Sequence, residues 1–236
     1  RISMKLPRYF LAKTFFVVGC FLLLIAASLQ AQVKPVPERT GFAWRHQAGV
    51  RLGVWSNMGD LPPKAESDSS YQYSADIKDA SFYFEGFFGF RISPRFMAEI
   101  SLGIVNRGDV IIEDEFGDQY IGSLTLYPIQ LRAKYYPLGS TSGKFYPYLM
   151  GGVGAYHGRH DIQFTTDPYV ISGNSKTSFS YALGGGFDYP VADLVGIDFN
   201  VTYMPIKFSE ELFRVKDYQA LTFTVGVKYL FQSPRK

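Results

Sequence analysis

The sequence predicts an all-β chain: an eight-stranded antiparallel up-and-down transmembrane β-barrel behind a cleavable N-terminal signal helix. Three observations predict it. Residues 222–231 (TFTVGVKYLF) set Phe223, Val225, Val227, Tyr229 and Phe231 against Thr222, Thr224, Gly226, Lys228 and Leu230. A strand sends alternate side chains to opposite faces. A wholly apolar, aromatic-bearing face beside a mostly small or polar one is what lipid outside and a packed polar interior demand. The same alternation recurs in seven earlier stretches. The seven connections between the eight stretches then read long, short, long, short, long, short, long. Short turns on the inner side of the membrane and long loops outside produce that order, whereas a soluble sandwich has no reason to alternate its loops.

In order, the first strand is expected over 43–55, with His46, Ala48, Val50, Leu52 and Val54 on one face. Arg45, Gln47, Gly49, Arg51 and Gly53 lie opposite. A polar loop over 56–78 leads to the second strand, 80–91, whose outer face is Phe82, Phe84, Phe88 and Phe90. Ser93 and Pro94 make a short turn. The third strand, 96–105, turns Phe96, Ala98, Ile100, Leu102 and Ile104 outward and Glu99 and Ser101 inward. A loop carrying Glu113, Asp114 and Glu115 precedes the fourth strand, 120–136, which has Tyr127, Ile129, Leu131, Ala133 and Tyr135 outward. Leu124 and Leu126 fall on its polar parity. Either Pro128 marks a bulge that changes parity, or the upper interior is partly apolar.

The fifth strand, 145–157, is apolar on both parities, with Leu149, Val153 and Ala155 assigned outward. A loop over 158–177 leads to the sixth, 178–189, with Phe179, Tyr181, Leu183, Phe187 and Tyr189 outward and Asp188 inward. After a tight turn the seventh sets Val195, Ile197, Phe199, Val201 and Tyr203 against Gly196, Asp198, Asn200 and Thr202. A last polar loop, 205–217, precedes residues 222–231.

Composition agrees. Aromatics are 17% of the 236 residues, and charged residues only 19%, below the usual quarter. The one long apolar run is 15–29, after Lys5, Arg8 and Lys13 and before Ala31. A basic start, a short apolar core and a small residue at its end describe a secretory signal. The expected division is a signal peptide over 1–31 starting at Met4, a barrel over 32–231 and a short polar tail over 232–236. Val17 to Cys20 fits a lipidation pattern locally, but the apolar core continues past Cys20 where a lipidated cysteine should end it. Removing 1–31 takes away Arg1, Lys5, Arg8 and Lys13 and no acid, which turns the formal net charge from +3 to −1. That leaves no case for nucleic acid. The single cysteine, Cys20, departs with the signal, so disulfides and cysteine-based zinc sites are excluded from the mature chain.

The chain resembles the small eight-stranded outer-membrane β-barrels: the OmpA membrane domain, the OmpX and OmpW types and opacity-like proteins. The residues that carry the resemblance are Gly49-Val-Arg-Leu-Gly53, Phe145-Tyr-Pro-Tyr148, Gly151-Gly-Val-Gly154, the stretch Tyr181 to Tyr189 and the Phe-ended last strand. It implies a Gram-negative outer membrane and contact with its lipid and lipopolysaccharide. It also implies that Phe223, Val225, Val227, Tyr229 and Phe231 form the signal read by the barrel assembly machinery. Family members usually end at that aromatic, whereas here residues 232–236 follow it.

Eight strands enclose just enough room for side chains. Parity turns Arg45, Arg51, Arg91, Arg132, Lys134 and Lys228 inward, with Glu85, Glu99, Asp188 and Asp198. Charges away from water must be paired, so a cross-strand ion network is expected to plug the lumen. The expected function is non-enzymatic: a structural role or a surface interaction through the outside loops, with no cofactor and no metal, in a monomer that takes an extracellular ligand at most. The alternatives are a small OmpW-like channel for ions or apolar molecules and, remotely, a lipid-modifying enzyme. His157, His160 and Asp161 tempt the latter, but no nucleophile with a matched base accompanies them. Gly152 and Gly154 resemble part of a dinucleotide loop without its third glycine or its helix, and strand glycines explain them better.

Overall fold

Outside a bilayer's hydrocarbon the outward face of a strand meets water, and hydrophobic alternation stops marking it. The computed structural model describes residues 45–59, 71–114, 119–139, 145–164, 170–212 and 215–232, and its strands run beyond the apolar stretches at the outer end. They are β1 (Arg45–Asn57), β2 (Tyr71–Ile77), β3 (Ala80–Ser93), β4 (Phe96–Asp114), β5 (Gln119–Tyr135), β6 (Tyr146–Phe164), β7 (Val170–Pro190), β8 (Val195–Met204), β9 (Lys207–Leu212), β10 (Val215–Asp217) and β11 (Ala220–Gln232). The signal segment 1–31, the loop tips and the tail beyond Gln232 lie outside the described residues.

Eight staves close into an antiparallel barrel. β2 and β3 are one stave interrupted at residues 78–79, since both pair with β4. β1 meets β3 on one side and β11 on the other, where Arg45↔Gln232 to Asn57↔Ala220 form an unbroken register. Val50 pairs with Val227 and Val54 with Phe223, so the last strand closes on the first and leaves no open edge in lipid. β9 and β10 form a separate two-stranded sheet, within what the sequence presents as a plain loop.

The outer ends correct the expected boundaries. Residues 106–119 and 158–177 read as loops; instead β4 and β5 pair out to Glu113↔Gln119, and β6 and β7 to Gln163↔Val170. The short turns fall where expected. Ser93 Oγ accepts the backbone N–H groups of Arg95 and Phe96 at 3.3 and 3.1 Å. Gly139, at φ +60°, turns the chain between β5 and β6 in a conformation that a side chain would strain.

Exposure follows parity through the membrane-spanning length. Val50, Leu52, Val54, Phe82, Phe84, Ile100, Leu102, Leu131, Val153, Tyr181, Val225 and Val227 are all exposed. Phe179, at 82%, is the extreme. Such a surface suits hydrocarbon and not water. Strand β5 keeps one parity past Pro128, which pairs with Tyr156 in unbroken register. The bulge is across the ladder, at Asn106–Gly108 of β4, where Gly108 takes φ 136° and donates to Asn106 Oδ1 at 2.9 Å. Leu124 and Leu126 are therefore interior, both 0% exposed. Of the two readings of that stretch, the partly apolar interior holds.

Candidate functional site: the barrel interior

The interior is stacked in three layers. At the end bearing the termini, Met97, Tyr136, Tyr146, Tyr148, Met150 and Leu230 pack together. Arg91 lays its guanidinium over the Tyr136 ring at 4.1 Å, and its backbone N–H donates to His46 Nδ1 at 3.0 Å. Arg45, half-buried, is the first residue of β1 and stands at this same rim opposite Gln232.

Above lies the charged layer. Arg51 is its hub. Its Nη1 reaches Glu85 at 2.5 Å, its Nη2 reaches Glu99 at 2.8 Å, and its Nε reaches Asp198 at 2.5 Å. A second bond from Nη1 to Glu99, at 3.0 Å, makes that pair bidentate, the strongest form of carboxylate recognition. Arg132 pairs with Glu85 and donates to Ser101 Oγ. Lys134 pairs with Glu99 at 2.8 Å and Asp198 at 3.3 Å. Lys228 pairs with Asp188 and donates to Gln47 Oε1 at 3.0 Å. The layer thus sets four cations against four carboxylates, every one at most a few per cent exposed.

Neutral groups complete the shell. Tyr83 OH donates to Glu85 at 2.7 Å, Tyr148 OH to Asp198 at 3.1 Å, and Tyr136 OH to Asp188 at 2.8 Å. Arg51 also covers the Phe87 ring at 3.6 Å. Tyr148 belongs to β6, so all eight staves contribute. Gly152 makes the crowding possible, because a Cβ there would press on the Arg132 stem and the Leu131 carbonyl.

Of the ten inward charges read from parity, eight meet in this layer, while Arg45 and Arg91 stand at the rim below it. The sequence reading turns Tyr83 inward but gives it no part in the network, and it leaves out Phe87, Tyr136 and Tyr148. All four lie on inward parity, so alternation could have found them had interior positions been read for aromatics as well as for charges.

The outer layer is apolar. Trp55, Tyr83, Val105, Leu124, Leu126, Tyr156, Ala182 and Met204 pack beneath Ile206, Phe208, Leu212, Val215 and Tyr218 of the β9–β10 segment. Trp55 meets Tyr83 edge-on at 5.4 Å, and Phe208 meets Tyr218 likewise at 5.2 Å. Burial pushes the Tyr218 hydroxyl up, which keeps it a neutral donor to the Leu212 carbonyl. Ser178 and Ser180 of β7 tie the segment down by donating to the Lys207 and Pro205 carbonyls at 2.5 and 2.6 Å. Between this layer and the charges, the gap bordered by Tyr83, Gln130, Asn200 and Thr224 among others is too small to admit a water molecule.

The histidines are not brought together. His157 is on the outer face and bonds Thr177 Oγ1 through Nδ1 at 3.0 Å, whereas His160 is buried on inward parity. Among the described residues no group of three metal-ligating side chains is assembled.

A profile of the outer membrane protein beta-barrel domain matches residues 20–231. No curated protein sequence matches the chain. Among solved structures, the chain is similar to the outer membrane protein OprG of Pseudomonas aeruginosa, with 17% identity over 80% of this chain and 97% of that one, at a TM-score of 0.53. It is also similar to Ail of Yersinia pestis in complex with sucrose octasulfate (15% identity, 79% and 99% covered, TM-score 0.45). Outer Membrane Protein W of E. coli matches at 15% identity, with 80% and 98% covered and a TM-score of 0.37. At these identities the likeness is one of fold.

Proposed function

Because the chain belongs to the outer membrane protein β-barrel family, we propose that it is a closed, non-conducting barrel whose working surface is its outer end. The observation that carries this is the charged layer, to which every stave contributes a side chain and in which each cation has a carboxylate. A pore of ions or solutes needs a continuous wet path; here guanidinium, ammonium and carboxylate groups fill the cross-section and the apolar layer covers them. The layer's role is then structural. It ties distant staves together, and the outside loops and the β9–β10 segment are left to meet lipid, lipopolysaccharide or an extracellular ligand. The apolar outer half is the one feature that favours the second reading, a channel for small apolar molecules, and the charges beneath it oppose passage.

Liposome swelling tests this reading. Proteoliposomes diluted into isotonic small sugars or amino acids should swell no faster than protein-free vesicles. Swelling proportional to protein content would support the channel.

Assembly through the last strand is part of the same proposal. Phe231 lies against His46 and Phe88, with ring centroids at 5.7 and 5.9 Å, so it joins the closing seam from inside the chain. Phe231→Ala should lower the amount of heat-modifiable barrel in outer-membrane fractions several-fold, while deletion of residues 232–236 leaves it near the wild-type amount. Equal losses would place the assembly signal elsewhere.

A further inference from the structure

Arg107, on β4 just outside the apolar belt, is 1% exposed, yet its Nε and Nη1 are buried with no hydrogen-bond partner. The Tyr218 hydroxyl and Asp79, itself exposed, act on it only through space, and among the described residues no carboxylate forms an ion pair with it. This contrasts with the charged layer below, where every cation is matched. Three more buried polar atoms without partners lie on inward positions of the neighbouring staves, Trp55 Nε1, Asn57 Oδ1 and Ser81 Oγ. Trp55 and Ser81 are register partners across β1 and β3. Val105 registers on Tyr83, two residues before Arg107 and two after Ser81, and the Arg107 carbonyl accepts the Lys78 N–H at 3.1 Å. Arg107 therefore faces the interruption between β2 and β3, buried on inward parity like Trp55 and Ser81.

The charge at that junction is one-sided, because the orphaned acceptor there, Asn57 Oδ1, is neutral and does not match a guanidinium. Guanidinium and indole N–H groups only donate, and a serine hydroxyl can donate. Buried donors left without acceptors are costly, and a charged one most of all. Such a set of donors is half of a recognition site, and the half it lacks is an oxyanion. The walls restrict which oxyanion. Tyr83, Val105, Leu124, Leu126 and Tyr156 are apolar or aromatic, and Phe208 and Leu212 form the roof. A bare inorganic anion would give up its hydration for little return there, whereas an anion on an apolar body gains from the walls.

We propose that the outer half of the barrel binds an amphipathic anion, a carboxylate on an alkyl chain. Its head lies on Arg107, Trp55 and Ser81, and its chain takes positions that the roof side chains now fill. The roof is a two-stranded sheet of its own, an element with little independent stability, so lifting it means breaking the Ser178 and Ser180 hydrogen bonds and the exposed Lys176–Glu210 pair that hold it to β7. The charged layer closes the way beneath, so the ligand enters and leaves from outside. This goes beyond the closed-barrel function and supplies a ligand class for its outer end.

Trp55 provides the test. The chain has two tryptophans, Trp44 and Trp55, so Trp44→Phe protein in non-ionic detergent reports on Trp55 alone. Trp55 is 0% exposed, so a quencher dissolved in the micelle does not reach it. Titration with bromododecanoate at neutral pH should quench it saturably, and bromododecanol should bind about tenfold or more weakly, the scale of a charge-assisted hydrogen bond. Adding Arg107→Gln, with heat-modifiability checked, should bring the acid down to the alcohol's affinity. Equal affinity for acid and alcohol in the Trp44→Phe protein would overturn the proposal. So would saturable quenching by neither, which leaves the donors to ordered water. The acid-to-alcohol comparison decides the matter even if the Arg107 variant does not fold.

Discussion

Arg51→Met is expected to lose about 3–5 kcal/mol of stability, the scale of breaking a buried ion pair by removing one partner. Methionine approximates the volume and the stem, so packing is largely kept. What is lost is the group that, among the described residues, alone touches Glu85, Glu99 and Asp198 together. The layer would be left with four carboxylates and three cations. Arg132 and Lys134 already serve Glu85 and Glu99 and have no spare reach for a full replacement. Denaturant unfolding in detergent or vesicles, followed by heat-modifiability, measures the loss. The sharper version is the pair Arg51→Met with Glu99→Leu, which restores three against three. That double variant should be more stable than Arg51→Met alone by more than about 1 kcal/mol, because residues within one ionic network do not add. Additive losses would mean that the charges do not act as a unit.

Gly53→Val is expected to prevent closure altogether. Gly53 faces inward on β1, and a Cβ there would collide with the Phe223 carbonyl and the Thr224 backbone across the seam. Backbone atoms in a registered ladder cannot step aside as a flexible side chain can. Overpacking of an ordinary core costs about 1–3 kcal/mol, but here the strain falls on the pairing that joins the first stave to the last. The variant should accumulate as heat-insensitive, protease-sensitive chain. Gly86→Val is the matched control, since a Cβ at Gly86 meets nothing within 4 Å, and it should assemble normally. A folded Gly53→Val barrel would show that the seam has more slack than its register implies.

The membrane-spanning part of this fold was legible because a bilayer imposes a rule on alternate residues. Phe82, Phe84 and Phe88, or Val225 and Val227, can only face lipid once their neighbours carry Glu85 or Lys228. The same rule turns Arg51, Glu85, Glu99, Arg132, Lys134, Asp188, Asp198 and Lys228 toward one interior from the sequence alone. It could not set their height, which is why Arg45 and Arg91 stand at the rim instead. Above the bilayer the rule lapses. On β4 and β6 the outward positions there, Asn106 and Arg159, are polar and exposed, so residues 106–119 and 158–177 look like loops although they pair as strands. The segment from Lys207 to Tyr218 was opaque for another reason. Phe208, Leu212 and Val215 are spaced like incidental apolar residues in a polar loop, and only their partners, Trp55 and Leu124 among them, make them a roof. Arg107 shared that opacity. In sequence it is one more cation in an exposed stretch, and its burial depends on a roof that alternation does not reveal.

Whether the charged layer seals the lumen is tested most directly by the electrical conductance of the purified barrel in planar bilayers. Wild-type protein, shown folded by heat-modifiability, should give no stepwise current at either polarity, and Arg51→Ala and Glu99→Ala variants should stay silent because the apolar layer still covers the gap. Discrete, reproducible channel openings from wild-type protein, with a selectivity that changes when Arg51 or Glu99 is neutralised, would contradict the account.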